Sequence, residues 1–444
     1  MTFKDLSERI PREPELAIVG DEPEALLLSV LFAEERIPNY LVGPFRDDVG
    51  SRGSGSAIEE GLWLLGIHRR TGMVSLKSDC SELPIHEIRT LIFSSHLTSQ
   101  RRTSDLEMRV RNVSRNLSTG TKLAFAGLCR PSHTVANMVP AIERHSGLKV
   151  GSELGLSYIP LFWAGESLLE FRERPKILSE SKAASSPSFQ EELLRVFPTL
   201  SQASTVEQAE AAGLFAAVSR EVVNALRLDL ARVSEKHGID FVDVLNLCNG
   251  AETALTSRSN GIAGRDTIGT SIALSTWPRS QGSRLLRAAH TINDDYQVQV
   301  LRVIRGALSH CGQGLRRSRV AILGVEGLVK NSWSRPESAP LIEALSQKGV
   351  KISVYPGNDG AHDWTELLGG RAQIEHNLMR AVGGANCAVV ALSKSAAREL
   401  DASKLAVEMN RPGAICDLTR VLEASNVERV GLFYTSIGRG TLGA

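Results

Sequence analysis

Hydrophobic positions fall into two similar blocks separated by a block of a different kind. From residue 14 to about 180, short apolar runs alternate with stretches whose apolar residues recur every three or four positions. The runs "LAIVG" (16–20), "YLVG" (40–43), "TLIFSS" (90–95) and "KLAFAGL" (122–128) are continuously apolar, as strands covered on both faces are. Between them, Ala25, Leu28, Leu31 and Phe32 mark one helix face, and Asp105–Leu117 predicts a second helix with Asp105 near its N-terminus. This strand–helix rhythm predicts a doubly wound parallel sheet.

Residues 181–204 begin Ser-rich and mark a boundary. The stretch from Val206 to Gly238 then predicts one long helix, with Leu214, Val218, Val222, Leu226, Leu230 and Val233 on one face and Gly238 as the glycine that ends it. A stripe of this length packs in a core or against another subunit more often than it binds a cofactor. Helix continues to Cys248 and again over Ser283–Leu308. From Ser318 the first rhythm returns, with strands in "RVAILG" (319–324), "KISVYP" (351–356), "CAVVALS" (387–393), "GAICDL" (413–418) and "VGLFYTSIG" (430–438) and a helix over Pro340–Lys348. The fold class is α/β: two Rossmann-like doubly wound domains, residues 1–180 and 317–444, joined by a helical region over 181–316.

Bulk properties narrow the function classes. A chain of 444 residues exceeds one ordinary core. Lys plus Arg number 51 against 50 Asp plus Glu, so the net charge of +1 gives no general pull toward nucleic acid or an acidic membrane. No apolar run approaches the ~20 residues of a membrane span, and the polar, charged first residues do not resemble a signal peptide, so a cytoplasmic protein is expected. Six cysteines are scattered without a C-x-x-C pair, which suits a reducing compartment and gives no metal site. Cys129 and Cys248 are expected to be buried packing residues.

Specific segments sharpen this picture. In order along the chain come "GLKVGSELGLSYIP", "FRERPKIL", "EKHGIDFVDVL", "RLLRAAHTIND", "RVAILGVEG" with "RPESAPLIEALSQKGVKISVYP", "VVALSKSAARELDASKL" and "IGRG". Together they resemble the UDP-glucose/GDP-mannose dehydrogenase family, with "RLLRAAHTIND" and "SIALSTWP" leaning toward its UDP-N-acetylmannosamine branch. The resemblance runs collinearly from about Leu16 to Gly440. It implies an NAD-binding first domain, a helical region that makes the dimer, and a last domain that binds the UDP of a nucleotide sugar. It also implies oxidation of the sugar C6 alcohol to a carboxylate through a cysteine thiolate, with NAD as the oxidant.

Position by position, this chain departs from that pattern. A dinucleotide cradle needs G-x-G-x-x-G so that the backbone can approach the pyrophosphate. Here Gly20 is kept, but the second and third positions are Glu22 and Ala25, and Asp21 and Glu24 add charge. Carboxylates suit a helix N-terminus and repel a pyrophosphate. The acidic residue expected to hold the adenine ribose falls on Gly43, and the threonine expected near the nicotinamide falls on Leu128. The nucleophilic cysteine falls on Ser271 and its aspartate on Ser275. A serine hydroxyl would need a strong neighbouring base to attack. The segment expected to carry the glutamate base reads Ile159–Phe162, with Glu166 and Glu170 downstream, and the catalytic lysine and asparagine fall on Gly213 and Ala217.

The substrate positions are better kept. Gly324 follows the first strand of the last domain, Lys330 lies near the expected lysine, and Arg335, Glu337 and Ser338 echo an R-E-S segment. Arg439 stands where an arginine reaches the nucleotide, and Arg258 lies close to the arginine that crosses to the partner's sugar. An arginine fork suits phosphate. A turn residue for Arg439 and a solvated loop charge for Arg258 are the plainer alternatives. Three readings remain open: a family member without oxidation chemistry that binds a UDP-sugar or pairs with an active paralogue, as homodimer or heteromer; an active NAD-dependent dehydrogenase with relocated residues; and an interaction protein that binds neither nucleotide.

Overall fold

The computed structural model describes residues 13–45, 57–97, 100–163, 166–181, 188–248, 284–324, 340–357, 364–392, 397 and 400–439. The chain divides into two compact units, and the division falls inside the long helix, between Ala217 and Val218.

The first unit is built on eight strands: β1 (Leu16–Gly20), β2 (Asn39–Val42), β3 (Val74–Lys77), β4 (Thr90–Ser94), β5 (Lys122–Ala126), β6 (Gly155–Ile159), β7 (Lys176–Ser181) and β8 (Leu200–Gln202). Their order is β3-β2-β1-β4-β5-β6-β7-β8. The pairings are parallel except β6 with β7. Strand order reverses between β1 and β4, where Gly20 pairs in register with Ser94. In an open sheet of this kind, ligands bind in the crevice beyond the carboxyl ends of the strands at such a reversal.

The helix Pro23–Glu34 follows β1 and is buried from Pro23 through Ala33, not along one face. The reason is its neighbours: helices Ala57–Arg70 and Phe189–Val196 pack against it, besides the strands β1 and β2. Its buried Ser29 hydroxyl is satisfied by Asn39 Oδ1 at 2.6 Å.

The second unit carries β9 (Arg319–Leu323), β10 (Lys351–Tyr355), β11 (Gln373–Ile374), β12 (Cys387–Val390), β13 (Ala414–Asp417) and β14 (Phe433–Thr435), all parallel, in the order β11-β10-β9-β12-β13-β14. One sheet face packs Ile322, Val354 and Val389 against Val300, Ile304 and Leu345. The other packs Ala321, Ala388 and Ile415 against Ala381, Leu405 and Val427. The alternation puts successive residues on opposite faces, and both faces are covered. Within this unit the end of the long helix Val206–Lys236 is tied to the turn after β14. Glu235 accepts from Gly438 N at 2.7 Å and from Arg302 at 2.6 Å, and Asp240 accepts from Arg420 at 2.8 Å.

The α/β expectation therefore holds for both sheets, with several local corrections. The helix expected over Asp105–Leu117 spans Gln100–Ser114, so Asp105 lies in its second turn. Its first turn is wholly polar and gives no apolar period. β3, β7 and β8 carry polar residues on half or more of their positions, because they lie toward the sheet margins, and no continuous apolar run announces them. The helix expected over Ser283–Leu308 is broken near Asp295 into Arg284–Asp294 and Tyr296–His310. Cys129 is buried as expected, but Cys248, at the end of the helix Phe241–Leu247, is half-exposed.

Candidate functional site

The crevice beyond β1 and β4 is where a dinucleotide would lie, and side chains of the unit itself fill it. Gly20 is required there by packing: a Cβ would fall 2.4 Å from the Ser94 carbonyl oxygen. The next residues carry carboxylates inward. Glu22 is the N-cap of the helix and is 4% exposed; Glu24, in its first turn, is 2% exposed. Arg102, on the helix Gln100–Ser114, bridges Asp21 at 3.0 Å and Glu22 at 2.9 Å.

Glu24 sits at the centre of a hydrogen-bond chain across three loops. His96, which follows β4, places Nε2 3.1 Å from Glu24 Oε1. The Leu128 N–H, after β5, donates to His96 Nδ1 at 3.0 Å, which leaves Nε2 to carry the ring proton toward Glu24. The Trp163 N–H, after β6, donates to the same Glu24 oxygen. Burial by itself would push the Glu24 carboxyl up; His96 and the backbone donors outweigh it and hold the group below its ordinary value. Burial pushes Glu22 up instead, against the opposing pull of His96 and Arg102.

These residues do not fit NAD. The helix N-terminus that would meet the pyrophosphate faces two buried carboxylates. No acidic residue can stand at the ribose position, since a Cβ on Gly43 would lie 2.2 Å from the Gly20 carbonyl oxygen and 2.7 Å from the Phe45 ring. Leu128, at the nicotinamide position, is fully buried.

The positions expected to carry the chemistry are packed in the same way. Gly213, at the lysine position, lets the long helix close onto the end of β6: a Cβ there would lie 2.1 Å from Pro160 Cβ and 3.3 Å from Leu128 Cδ2. Ala217, at the asparagine position, is also fully buried. Of the two downstream carboxylates, Glu170 forms a capping box with Ser167, and Glu166 pairs with Arg174 at 2.6 Å. Neither is placed as a free base.

Cys129 donates to Glu210 Oε1 at 3.3 Å and lies 3.3 Å from the Tyr158 hydroxyl. Burial pushes its thiol well above the ordinary value, and the Glu210 carboxylate adds to that. A protonated, buried thiol is not a nucleophile. Glu210, on the long helix, also accepts from Thr134 N at 2.9 Å, where the chain enters the π-helical turn Thr134–Met138.

In the second unit, Arg439 pairs with Glu428 at 2.8 Å, and its guanidinium lies 4.8 Å from the centre of the Tyr434 ring. Glu428 therefore competes with any nucleotide phosphate for the Arg439 guanidinium. Ser271, Arg258, Lys330 and Ser338 lie outside the described residues. Among the described residues, no group of three or more His, Cys, Asp or Glu side chains is placed to hold a metal ion. Nor is any helix of the described residues long and apolar enough to cross a membrane.

Sequence reasoning missed His96, Arg102 and Glu210. His96 stands two residues beyond an apolar strand and Arg102 is one of a charged pair, patterns shared by many surface residues. Glu210, in the second turn of the long helix, gives no local sign that it is buried. The one available signal was the crowding of Asp21, Glu22 and Glu24 at a strand–helix turn, which requires cationic or donor partners somewhere in the fold.

No protein-family model and no curated protein matches the chain. Solved structures match it along its length at low identity. A UDP-D-ManNAc dehydrogenase from Pyrococcus horikoshii is 18% identical, with 96% of this chain and 99% of that one covered and a TM-score of 0.71. A UDP-glucose dehydrogenase from Pyrobaculum islandicum is 16% identical, with 98% and 99% covered and a TM-score of 0.72. An NDP-N-acetyl-D-galactosaminuronic acid dehydrogenase from Methanosarcina mazei Go1 is 20% identical, with 98% and 97% covered and a TM-score of 0.61. The chain has the fold of these nucleotide-sugar dehydrogenases over nearly its whole length.

Proposed function

We propose that this chain is a member of the UDP-glucose/GDP-mannose dehydrogenase family that keeps the family fold without its oxidation chemistry. The observation that carries this reading is Glu24, buried across the dinucleotide crevice and held by His96 and by the Trp163 N–H. The packing of Gly213 against Pro160, at the lysine position, supports it independently. The nucleotide-sugar dehydrogenase neighbours support the family, and their shared fold extends through the last domain.

The remaining role is binding: a UDP-sugar in the last domain, or an active paralogue of polysaccharide biosynthesis through the helices, in the cytoplasm. Exposed apolar residues in the second unit support association. Leu226 and Val233 of the long helix, Leu247, Leu285 and Val298 are 46–86% exposed. Each of these side chains would gain by burial against another chain.

The test is incubation of the purified chain with NAD and UDP-glucose, UDP-N-acetylmannosamine or UDP-N-acetylgalactosamine. NADH absorbance is read alongside calorimetric titration of each sugar nucleotide and native mass spectrometry with an active relative. No NADH, with either sugar-nucleotide binding or a mixed dimer, is the expected result. NADH formation abolished by Ser271→Ala would restore the active dehydrogenase reading. Silence in all three assays would leave an interaction protein without nucleotide.

A further inference from the structure

The helices Gln100–Ser114 and Val139–Ser146 connect β4 to β5 and β5 to β6, which are adjacent and parallel. Both helices therefore end at the amino edge of the sheet, opposite the crevice. They pack against each other, with Val110, Val113 and Ile142 buried in one core. The loops that follow them are tied by the Gly120 N–H, which donates to the Glu153 carbonyl oxygen at 2.7 Å. This packing gathers Arg111, Arg115, Arg144 and His145 from separate parts of the sequence. The three arginines are exposed, and among the described residues none of the four side chains has a hydrogen-bond or ion-pair partner. Desolvation, and then the charges of Arg111, Arg115 and Arg144, hold the His145 imidazole below its ordinary value. The nearby carboxylates do not neutralise the arginines. Glu143 accepts from Lys149 Nζ and the Val150 N–H, both at 3.1 Å, and Glu153 accepts from the Lys149 N–H at 2.7 Å. Glu107, a turn before Arg111, pairs with no cation.

We propose that this patch is a docking surface for a glutamate- or aspartate-rich segment of another protein. Arg111 and Arg115 stand one turn apart, a spacing at which like charges repel, and Arg144 adds to the repulsion. Carboxylates from a partner relieve it through forked hydrogen bonds, which guanidinium groups make better than any other side chain. Met108, one turn before Arg111 on the same helix face and 54% exposed, offers that segment an apolar contact. A nucleic acid fits less well. Neither helix carries a Phe, Tyr or Trp on which a base could stack. Glu107, Glu143 and Glu153 at the rim would also repel a continuous phosphate backbone, whereas a peptide can place its carboxylates between them. The patch lies at the opposite edge of the sheet from the dinucleotide crevice, so the proposal does not depend on what that crevice binds.

Fluorescence anisotropy of the full-length protein with a labelled glutamate-rich peptide carrying interspersed leucines tests it, at low and at high sodium chloride. Wild type is expected to bind the peptide at low salt and to release it as salt screens the charges. Arg111→Glu/Arg115→Glu/Arg144→Glu is expected to lose at least about tenfold in affinity, since three ion pairs are replaced by three repulsions. The control is Arg305→Glu/Arg316→Glu/Arg380→Glu, which changes the net charge equally at exposed arginines of the second unit and is expected to bind like wild type. Circular dichroism checks that each variant is folded, and Arg111→Gln/Arg144→Gln, with a smaller loss in the same direction, carries the test if the triple reversal is not. No binding of the peptide by wild type, or equal losses in the patch and control variants, overturns the docking surface. A labelled DNA duplex or single strand that binds more tightly than the peptide, and is lost in the patch variant alone, overturns the acidic-peptide partner.

Discussion

Replacing Gly213 by alanine should destabilise the first unit, although the same change elsewhere in a helix stabilises. In a helix interior, Gly→Ala gains about 1 kcal/mol because alanine loses less backbone entropy. At Gly213 the new Cβ would lie 2.1 Å from Pro160 Cβ. Carbon atoms rest at about 3.5–4.0 Å, so the helix or the loop after β6 must retreat by roughly 1.5 Å. Overpacking of this kind costs about 1–3 kcal/mol. The expected net effect is a loss of up to about 2 kcal/mol. Gly66, in the helix Ala57–Arg70 of the same unit, is the control. A Cβ there meets only the far end of Arg70, at 3.9 Å, and Gly66→Ala should stabilise by up to about 1 kcal/mol. Urea unfolding followed by circular dichroism reads both as midpoint shifts, which should have opposite signs. Equal stabilisation by the two substitutions would refute the close approach of the long helix to Pro160, and with it the account of why no side chain stands at Gly213.

Three further expectations follow from buried groups. His133 is 3% exposed, and burial, with Arg130 adding to it, pulls its pKa down to about 4. The unfolded chain therefore binds a proton between about 6.5 and 4 that the folded chain refuses. Stability should fall by up to about 3 kcal/mol as pH drops through that window, and His133→Phe should flatten this part of a pH-dependent urea midpoint curve. Glu210→Ala removes the acceptor of the Cys129 thiol and the Thr134 N–H and should cost about 2–4 kcal/mol, while Glu210→Gln, which keeps an oxygen there, should cost clearly less; equal losses would deny the hydrogen bonds any weight. Native alkylation followed by mass spectrometry should modify half-exposed Cys248 first and leave Cys129 unlabelled, and rapid labelling of Cys129 would mean an activated thiol.

The two sheets were legible because their central strands are apolar on both faces. β1, β4, β5, β9 and β12 announce themselves as continuous runs, while the marginal strands β3, β7 and β8 do not. The absence of a dinucleotide glycine motif was legible as well, because such a motif is a local pattern and Glu22 breaks it. What filled the space was not, since His96 and Trp163 meet Glu24, and Leu128 meets His96, only when loops after three different strands are brought together by the sheet. Gly213 shows the same limit. A glycine in a helical pattern reads as a weak position, and only the approach of Pro160 reveals why a side chain is excluded. The helix Pro23–Glu34 marks one face by its periodicity, but the neighbouring helices that bury the rest of it are a tertiary property.

The most direct measurement is calorimetric titration of the wild-type protein with NAD, carried into the millimolar range. The internal carboxylates at Glu22 and Glu24 predict no heat of binding. A saturable heat would mean that the dinucleotide displaces Glu24 from His96, and the account of a closed crevice would be wrong.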